Sequence, residues 1–381
     1  MKDASKGKPD EAGAGAGEAE ATRIVSATSI YDAASPQQPL ISGEIDELRR
    51  IAADRSRSVL ERIEAYADIV DSEVGDTTLS RARNLEREFG LRQLYLKFDG
   101  GNPSGTQKDR IAFAQAMDAL RRGFDTITVA SCGNYGAAIA LASSLAGLRC
   151  LVFIPEGFHT RRIQEMQRLG AEVIRVPGDY ERAVDVSREH AMREELYDAN
   201  PGGENTPLQL QAYGAIAWEI YDDLRDAPAV VAVPVSNGTT LAGIHRGFQS
   251  LYRRGKTSTV PRMVAGSTYR KNPIVDSLTR GRDSYADLQP SQVRETRVNE
   301  PLVNWRAEDG QLAFEAVRDS GGWAAHASDK LMLAVARTLR ELEGLSVLPA
   351  STAGLVALLE RHKQEPLPGG RYVAVLTGRR T

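Results

Sequence analysis

Cysteine is almost absent from this chain of 381 residues: there are two, Cys132 and Cys150, without CxxC spacing. That count excludes a disulfide framework and a four-thiolate zinc site. Histidine is nearly as sparse, with five residues and no HExxH spacing, so the sequence presents no metal site. No apolar run approaches the roughly 20 residues that cross a bilayer. The N-terminus shows no apolar core of a signal peptide. A membrane partner is therefore not expected, and a cytoplasmic location is. An excess of one charge is lacking too. With 48 Lys and Arg against 51 Asp and Glu the net charge is −3, which gives no basic field for nucleic acid. Also missing is a strand followed by GxGxxG with an acidic residue about 20 positions on, which argues against a dinucleotide-binding Rossmann unit.

What is present is ordinary for a soluble globular protein: 41% hydrophobic and 26% charged residues, with length for two or three domains. Residues 1–22 are Gly, Ala and charge, and are expected to form a disordered tail. Amphipathic stretches at 44–53 and 58–71 follow, the second with Leu60, Ile63, Ala67 and Val70 at helical spacing, and predict a helical arm. Residues 76–90 read as a helix stopped by Gly90, leading into a strand over 95–98. Short β-branched runs then alternate with helical patterns. Strands are predicted at 126–130, 149–154, 172–176, 196–198, 229–235, 262–265 and 372–376, with helices between them. Residues 280–326 are less regular. This alternation predicts an α/β protein with parallel sheets covered on both faces. Two open three-layer units are expected: 23–110 with 203–381 as a large one, arm included, and 111–202 as a small one.

Four loops stand out against that frame. The first, KFDGGNPSGTQKDR at 97–110, ends a strand and presents Lys108 from a Pro-Ser-Gly turn at the start of a helix whose Ile111, Ala112, Ala116, Met117 and Leu120 share a face. The second, SCGNYG from Ser131 to Gly136, is a strand-to-helix turn whose small residues let a ligand approach the backbone. No base neighbours Cys132 in sequence, so it reads as a small buried residue rather than a nucleophile. The third, PVSNGTTLAG from Pro234 to Gly243, is a Gly- and hydroxyl-bearing loop opening a helix, the expected cradle for a phosphate. The fourth is Leu376-Thr377-Gly378, which closes the last strand.

Together, in this order, the four loops resemble the signatures of threonine synthase and its relatives among the fold type II (tryptophan synthase β-like) pyridoxal phosphate enzymes. The resemblance covers about residues 76–378. It implies that Lys108 forms the Schiff base with the cofactor, that Asn134 meets the ring 3′-oxygen, and that the 131–136 turn (Ser131, Gly133 and Tyr135) holds the substrate carboxylate. It further implies that Ser236, Asn237, Gly238, Thr239 and Thr240 hold the 5′-phosphate, the Thr239 hydroxyl adding a hydrogen bond, and that Thr377 donates to the pyridine nitrogen. The chain departs from the family pattern at Gln107 (Phe in the family), Cys132 (Ser), Thr239 (Gly) and Leu348-Pro349-Ala350 (Glu-Pro-Ser), and it lacks the Cys-rich N-terminal segment of some threonine synthases.

The activity implied is that of a lyase acting on a small amino acid. O-phosphohomoserine and water would give threonine and phosphate through an external aldimine, with Lys108 taking the α-proton. A lysine does this near neutral pH only if its ordinary pKa of about 10.4 is pulled down. The leaving phosphate needs a second anion site, for which Lys97, Arg161 and Arg162 are candidates and Lys97, on the strand feeding the turn, the preferred one. The alternative is β-replacement or β-elimination on a serine or cysteine derivative, of cysteine synthase, cysteate synthase or dehydratase type. A further alternative is a binding protein that keeps the fold without turnover. A homodimer is expected from the family.

Overall fold

The computed structural model describes residues 46–131, 133–158 and 160–380. The tail at 1–22 and Cys132 lie outside the described residues. Two helices, α1 (Asp46–Ala53) and α2 (Val59–Glu73), form the arm. A capping box between Ser58 and Glu61 starts α2, satisfying two donors that a helix start leaves open. The arm is fixed to the body by stacking of Tyr66 on Phe113, with centroids 6.0 Å apart, and by Arg62, which reaches the Ala146 carbonyl at 2.8 Å.

The next stretch differs from expectation. Residues 79–81 form a short strand, β1 (Leu79–Arg81), and only α3 (Arg83–Phe89) is helical, ended by Gly90 at φ 71°. β1 pairs antiparallel with β2 (Leu94–Phe98), Leu79 opposite Lys97, and edge pairing overrides the helical pattern read at 76–82. After β2 come α4 (Lys108–Arg121), β3 (Thr126–Ala130), α5 (Asn134–Ala146), β4 (Arg149–Pro155), α6 (Arg162–Arg168), β5 (Glu172–Val176), α7 (Tyr180–Arg193) and β6 (Tyr197–Asp198). These give a four-stranded parallel sheet of order β5-β4-β3-β6. The chain continues through α8 (Thr206–Leu224), β7 (Val230–Pro234), α9 (Thr239–Arg253) and β8 (Arg262–Thr268). Next comes α10 (Pro273–Thr279), and residues 280–326, read as less regular, hold α11 (Gly310–Asp319) and all but the last residue of β9 (Trp323–Ala327). Then follow α12 (Asp329–Glu343), α13 (Ala353–Gln364) and β10 (Tyr372–Leu376).

The larger sheet runs β1-β2-β10-β7-β8-β9, parallel except at β1. The central strands β7 and β10 and the small-sheet strand β3 are buried along their whole length, as parallel strands covered on both faces must be. The last strand in sequence is inserted between the first long one and the middle of the sheet, Leu376 opposite Phe98 and Ala374 opposite both Leu96 and Ala232. That insertion sets the loop after β10 beside the loop after β2.

Candidate active site

The loops after β2, β3, β7 and β10 all lie at the carboxyl ends of parallel strands, where open α/β sheets bind ligands. They converge on a cavity of about 300 Å³. Its lining contains Lys108, Ser131, Gly133, Asn134, Tyr135, Ser236, Asn237, Gly238, Thr239, Thr240 and Thr377. Lys97 is not among the lining residues, and the expectation that it meets a substrate anion is corrected. It lies in the middle of a strand buried between its neighbours, fully buried itself. Its ammonium pairs with Glu219 at 2.6 Å and donates to the Thr77 carbonyl. A lysine in that position needs a carboxylate partner, not a ligand. Arg161 is exposed and outside the lining, whereas Arg162 lines the cavity.

The turn before Lys108 is tied to the end of the last strand. Gln107 N–H donates to the Thr377 carbonyl at 2.9 Å and Arg379 N–H to the Gly105 carbonyl at 2.9 Å. Two residues beyond Lys108, Arg110 is clamped by Asp99 at 2.8 Å and by Glu219 at 2.6 Å. The lysine is thus fixed from both sides. Its Nζ lies 5.4 Å from the centroid of the Tyr135 ring. Burial pulls its pKa down to about 8, with Asp309 acting in the opposite sense.

In the second loop Ser131 Oγ accepts from Gly133 N–H at 3.2 Å and Gly136 N–H at 2.8 Å, which fixes the turn at the start of α5. Those two N–H groups are thereby committed, leaving those of Asn134 and Tyr135 for an anion. The Tyr135 hydroxyl is committed within the protein, donating to the Ala199 carbonyl at 2.6 Å. Its ring is a platform under Lys108, not a hydroxyl offered to substrate.

The third loop turns at Gly238, whose φ is 96°. A Cβ there would meet Ala313 Cβ at 2.7 Å and the Asp309 carbonyl at 2.9 Å, so only glycine fits. The helix start that follows presents N–H groups with no intrahelical partner. The Thr239 hydroxyl, expected to add a bond to a phosphate, is instead committed to Asp309 Oδ2. Asn237 is held by Asn304, whose amide donates to Asn237 Oδ1 at 3.0 Å. Asn304 and Asp309 belong to the stretch after α10, which also puts Glu295, Arg297 and Glu300 into the cavity wall. Sequence reasoning missed these residues because the stretch carries no periodicity or motif to single them out. Burial and the neighbouring Glu295 push the Glu300 carboxyl up to about 7.

A half-buried amine, an open helix start behind a glycine in the left-handed region, a carboxamide and a hydroxyl facing one space fit pyridoxal 5′-phosphate: an aldehyde, a dianion, a ring oxygen and a ring nitrogen. Residues 70–378 match the family described as pyridoxal-phosphate dependent enzyme, and the chain belongs to that family. Among its relatives are threonine synthases. That of Methanocaldococcus jannaschii is 32% identical over 293 residues, 75% of this chain and 70% of that one. That of Halalkalibacterium halodurans is 31% identical over 306 residues, 80% of this chain and 82% of that one. Solved structures share the fold. Maize serine racemase superposes with TM-score 0.68 at 17% identity, covering 84% of this chain and 94% of that one. The processed form of threonine deaminase isoform 2 from Solanum lycopersicum gives 0.67 at 16%, covering 84% and 90%. The fold is that of the fold type II enzymes, and the cofactor is pyridoxal phosphate.

Proposed function

We propose that this pyridoxal-phosphate-dependent lyase is of the threonine synthase type and converts O-phosphohomoserine and water to threonine and phosphate. The observation that carries the reading is the pairing, in one cavity, of the desolvated Lys108 amine with the guanidinium groups of Arg162 and Arg297. The threonine synthases at about 30% identity support it. When bound, the cofactor withdraws electrons from the substrate α-carbon and acidifies its hydrogen. Lys108, with its pKa near 8, takes that proton at neutral pH and returns one later in the sequence. Asn134 holds the ring oxygen, Ser236 to Thr240 hold the phosphate, and the N–H groups of Asn134 and Tyr135 hold the substrate carboxylate. Thr377 donates a neutral hydroxyl to the ring nitrogen, which suits elimination and replacement better than transamination. Leu302, Val303 and Leu348 in the wall exclude water from the reacting atoms. Arg162, itself braced by Glu165 at 2.7 Å and the Ser104 carbonyl at 3.2 Å, meets the departing phosphate.

One observation favours the second reading. Glu295 and Glu300 share the wall with the arginines, and two carboxyl groups there suit a substrate whose β-substituent is uncharged, such as a hydroxyl or an acetyl ester, rather than a phosphate dianion. Mixing the holoprotein with O-phosphohomoserine decides between the two. Equal release of phosphate and threonine is expected. No phosphate, together with turnover of O-acetylserine or serine, would move the assignment to β-replacement or β-elimination. We also propose a cytoplasmic homodimer. Because the arm packs on its own chain, the dimer draws no support from it, and light scattering is the direct check.

A further inference from the structure

Asp309 has no place in the chemistry above, yet it is buried, 4% exposed, against the loop assigned to a phosphate dianion. It occupies the N-cap position of α11, where an aspartate ordinarily accepts from its own helix, and it makes no such bond. Its carboxylate turns sideways instead. Oδ2 accepts from the Thr239 hydroxyl, and Oδ1 accepts from Thr206 Oγ1 at 3.4 Å. Its N–H donates to the Asn237 carbonyl at 3.1 Å, which fixes it to the loop. The groups facing it are Thr239 of α9, Thr206 of α8, the Lys108 amine, and its own neighbour Glu308. The Glu308 carboxylate is held by Arg188 of α7 at 2.9 Å and Arg306 at 3.1 Å. No arginine pairs directly with Asp309 among the described residues. Burial, helped by the Glu308 charge, pushes its carboxyl above the ordinary range, against the bonds from Thr239 and Thr206 and the positive charge of Arg188.

A hydroxyl has one hydrogen. While Asp309 is ionised, the Thr239 hydrogen points at the carboxylate, and its oxygen can offer a phosphate only lone pairs. A buried like charge beside a dianion adds to the mismatch. A proton on Asp309 reverses the bond. The acid then donates to Thr239 Oγ1, and the Thr239 hydrogen is free to turn to the phosphate. We infer that Asp309 is a proton-carrying positioning residue for the cofactor phosphate: it supports binding through Thr239 in its neutral form, so loading the site takes up a proton. The inference rests on the reading that residues 236–240 hold the phosphate.

Calorimetric titration of the full-length apoprotein with pyridoxine 5′-phosphate tests it, because that analogue lacks the aldehyde and leaves Lys108 unbonded. Buffers of different ionisation enthalpy report protons taken up. Above the second ionisation of the phosphate, wild-type protein is expected to take up close to one proton more than Asp309→Asn. Its affinity should fall up to about tenfold per pH unit relative to that variant. Asp309→Asn should bind at least as tightly as wild type at high pH, and Thr239→Val should bind more weakly than wild type at low pH. Equal proton uptake and equal pH slope in wild type and Asp309→Asn overturn the inference. If Asp309→Asn does not fold, absence of any uptake by the wild type overturns it alone. Pyridoxine without the phosphate separates the two layers. Binding as tight as that of the ester would remove the phosphate-loop reading and the inference with it, whereas phosphate-dependent binding without uptake removes only the inference.

Discussion

The reactivity proposed for Lys108 follows from where it sits, half-buried in the cavity wall. An exposed lysine is protonated far above neutrality, whereas the water this one loses there brings its pKa down to about 8. Only the unprotonated amine can attack the cofactor aldehyde. The rate at which apoprotein captures pyridoxal phosphate, followed by visible absorbance, should therefore rise about tenfold per pH unit toward pH 8 and level off above it. A rate independent of pH below that point would contradict the burial argument. Gly238 is the second residue on which the site depends. Gly238→Ala forces a side chain into the left-handed region and against Ala313, at a cost of roughly 1–3 kcal/mol. The expected readout is loss of cofactor on dialysis under conditions in which wild type stays yellow.

At the level of elements, α4 matters most, because its first turn carries Lys108 and is anchored by a buried ion network. Arg110 bridges Asp99 and Glu219, and it is the cation paired with the fully buried Asp99, whereas Glu219 also pairs with Lys97. Arg110→Ala should destabilise the fold by about 3–5 kcal/mol, read as a lower denaturant midpoint, since it leaves buried charge unpaired. The βα loops were legible in the sequence because each is a local pattern: a strand, a few small or hydroxyl residues, then a helix start. Lys97 was misread for the opposite reason. Its partner Glu219 is 122 positions away on α8, and no local pattern connects a lysine to a carboxylate at that range. The wall supplied by Glu295, Arg297 and Glu300 was illegible on the same ground, being set by how a non-periodic stretch folds back over the cavity. At 79–81 the helical pattern lost to pairing with β2, a tertiary choice.

At the scale of the whole molecule, loops of both sheets line the cavity, and a clasp joins α7 to the stretch after α10. Glu181 accepts from Trp305 N–H at 3.0 Å, Asp179 from the Trp305 indole at 3.0 Å, and Asp185 pairs with Arg306 at 2.8 Å. Burial pushes the Glu181 carboxyl up to about 7, as it does Asp109 and Glu300. A raised carboxyl pKa means that the folded state binds a proton the unfolded state has released. Stability should then fall as pH rises from the unfolded value of about 4 toward 7, by of order 1 kcal/mol or more per group. Urea unfolding across that range checks the sign, and Glu181→Gln should flatten the slope. We propose that the clasp lies between separate units, 111–202 on one side and 23–110 with 203–381 on the other. The cavity is proposed to hold one covalent anchor, Lys108, and the most direct measurement is to find it. Borohydride reduction of the holoprotein fixes the cofactor on the lysine to which it is bonded, and peptide mass mapping locates the label. The account predicts the label on Lys108 alone. Label on Lys97, Lys256, Lys271, Lys330 or Lys363 instead, or no label on a yellow protein, would contradict it.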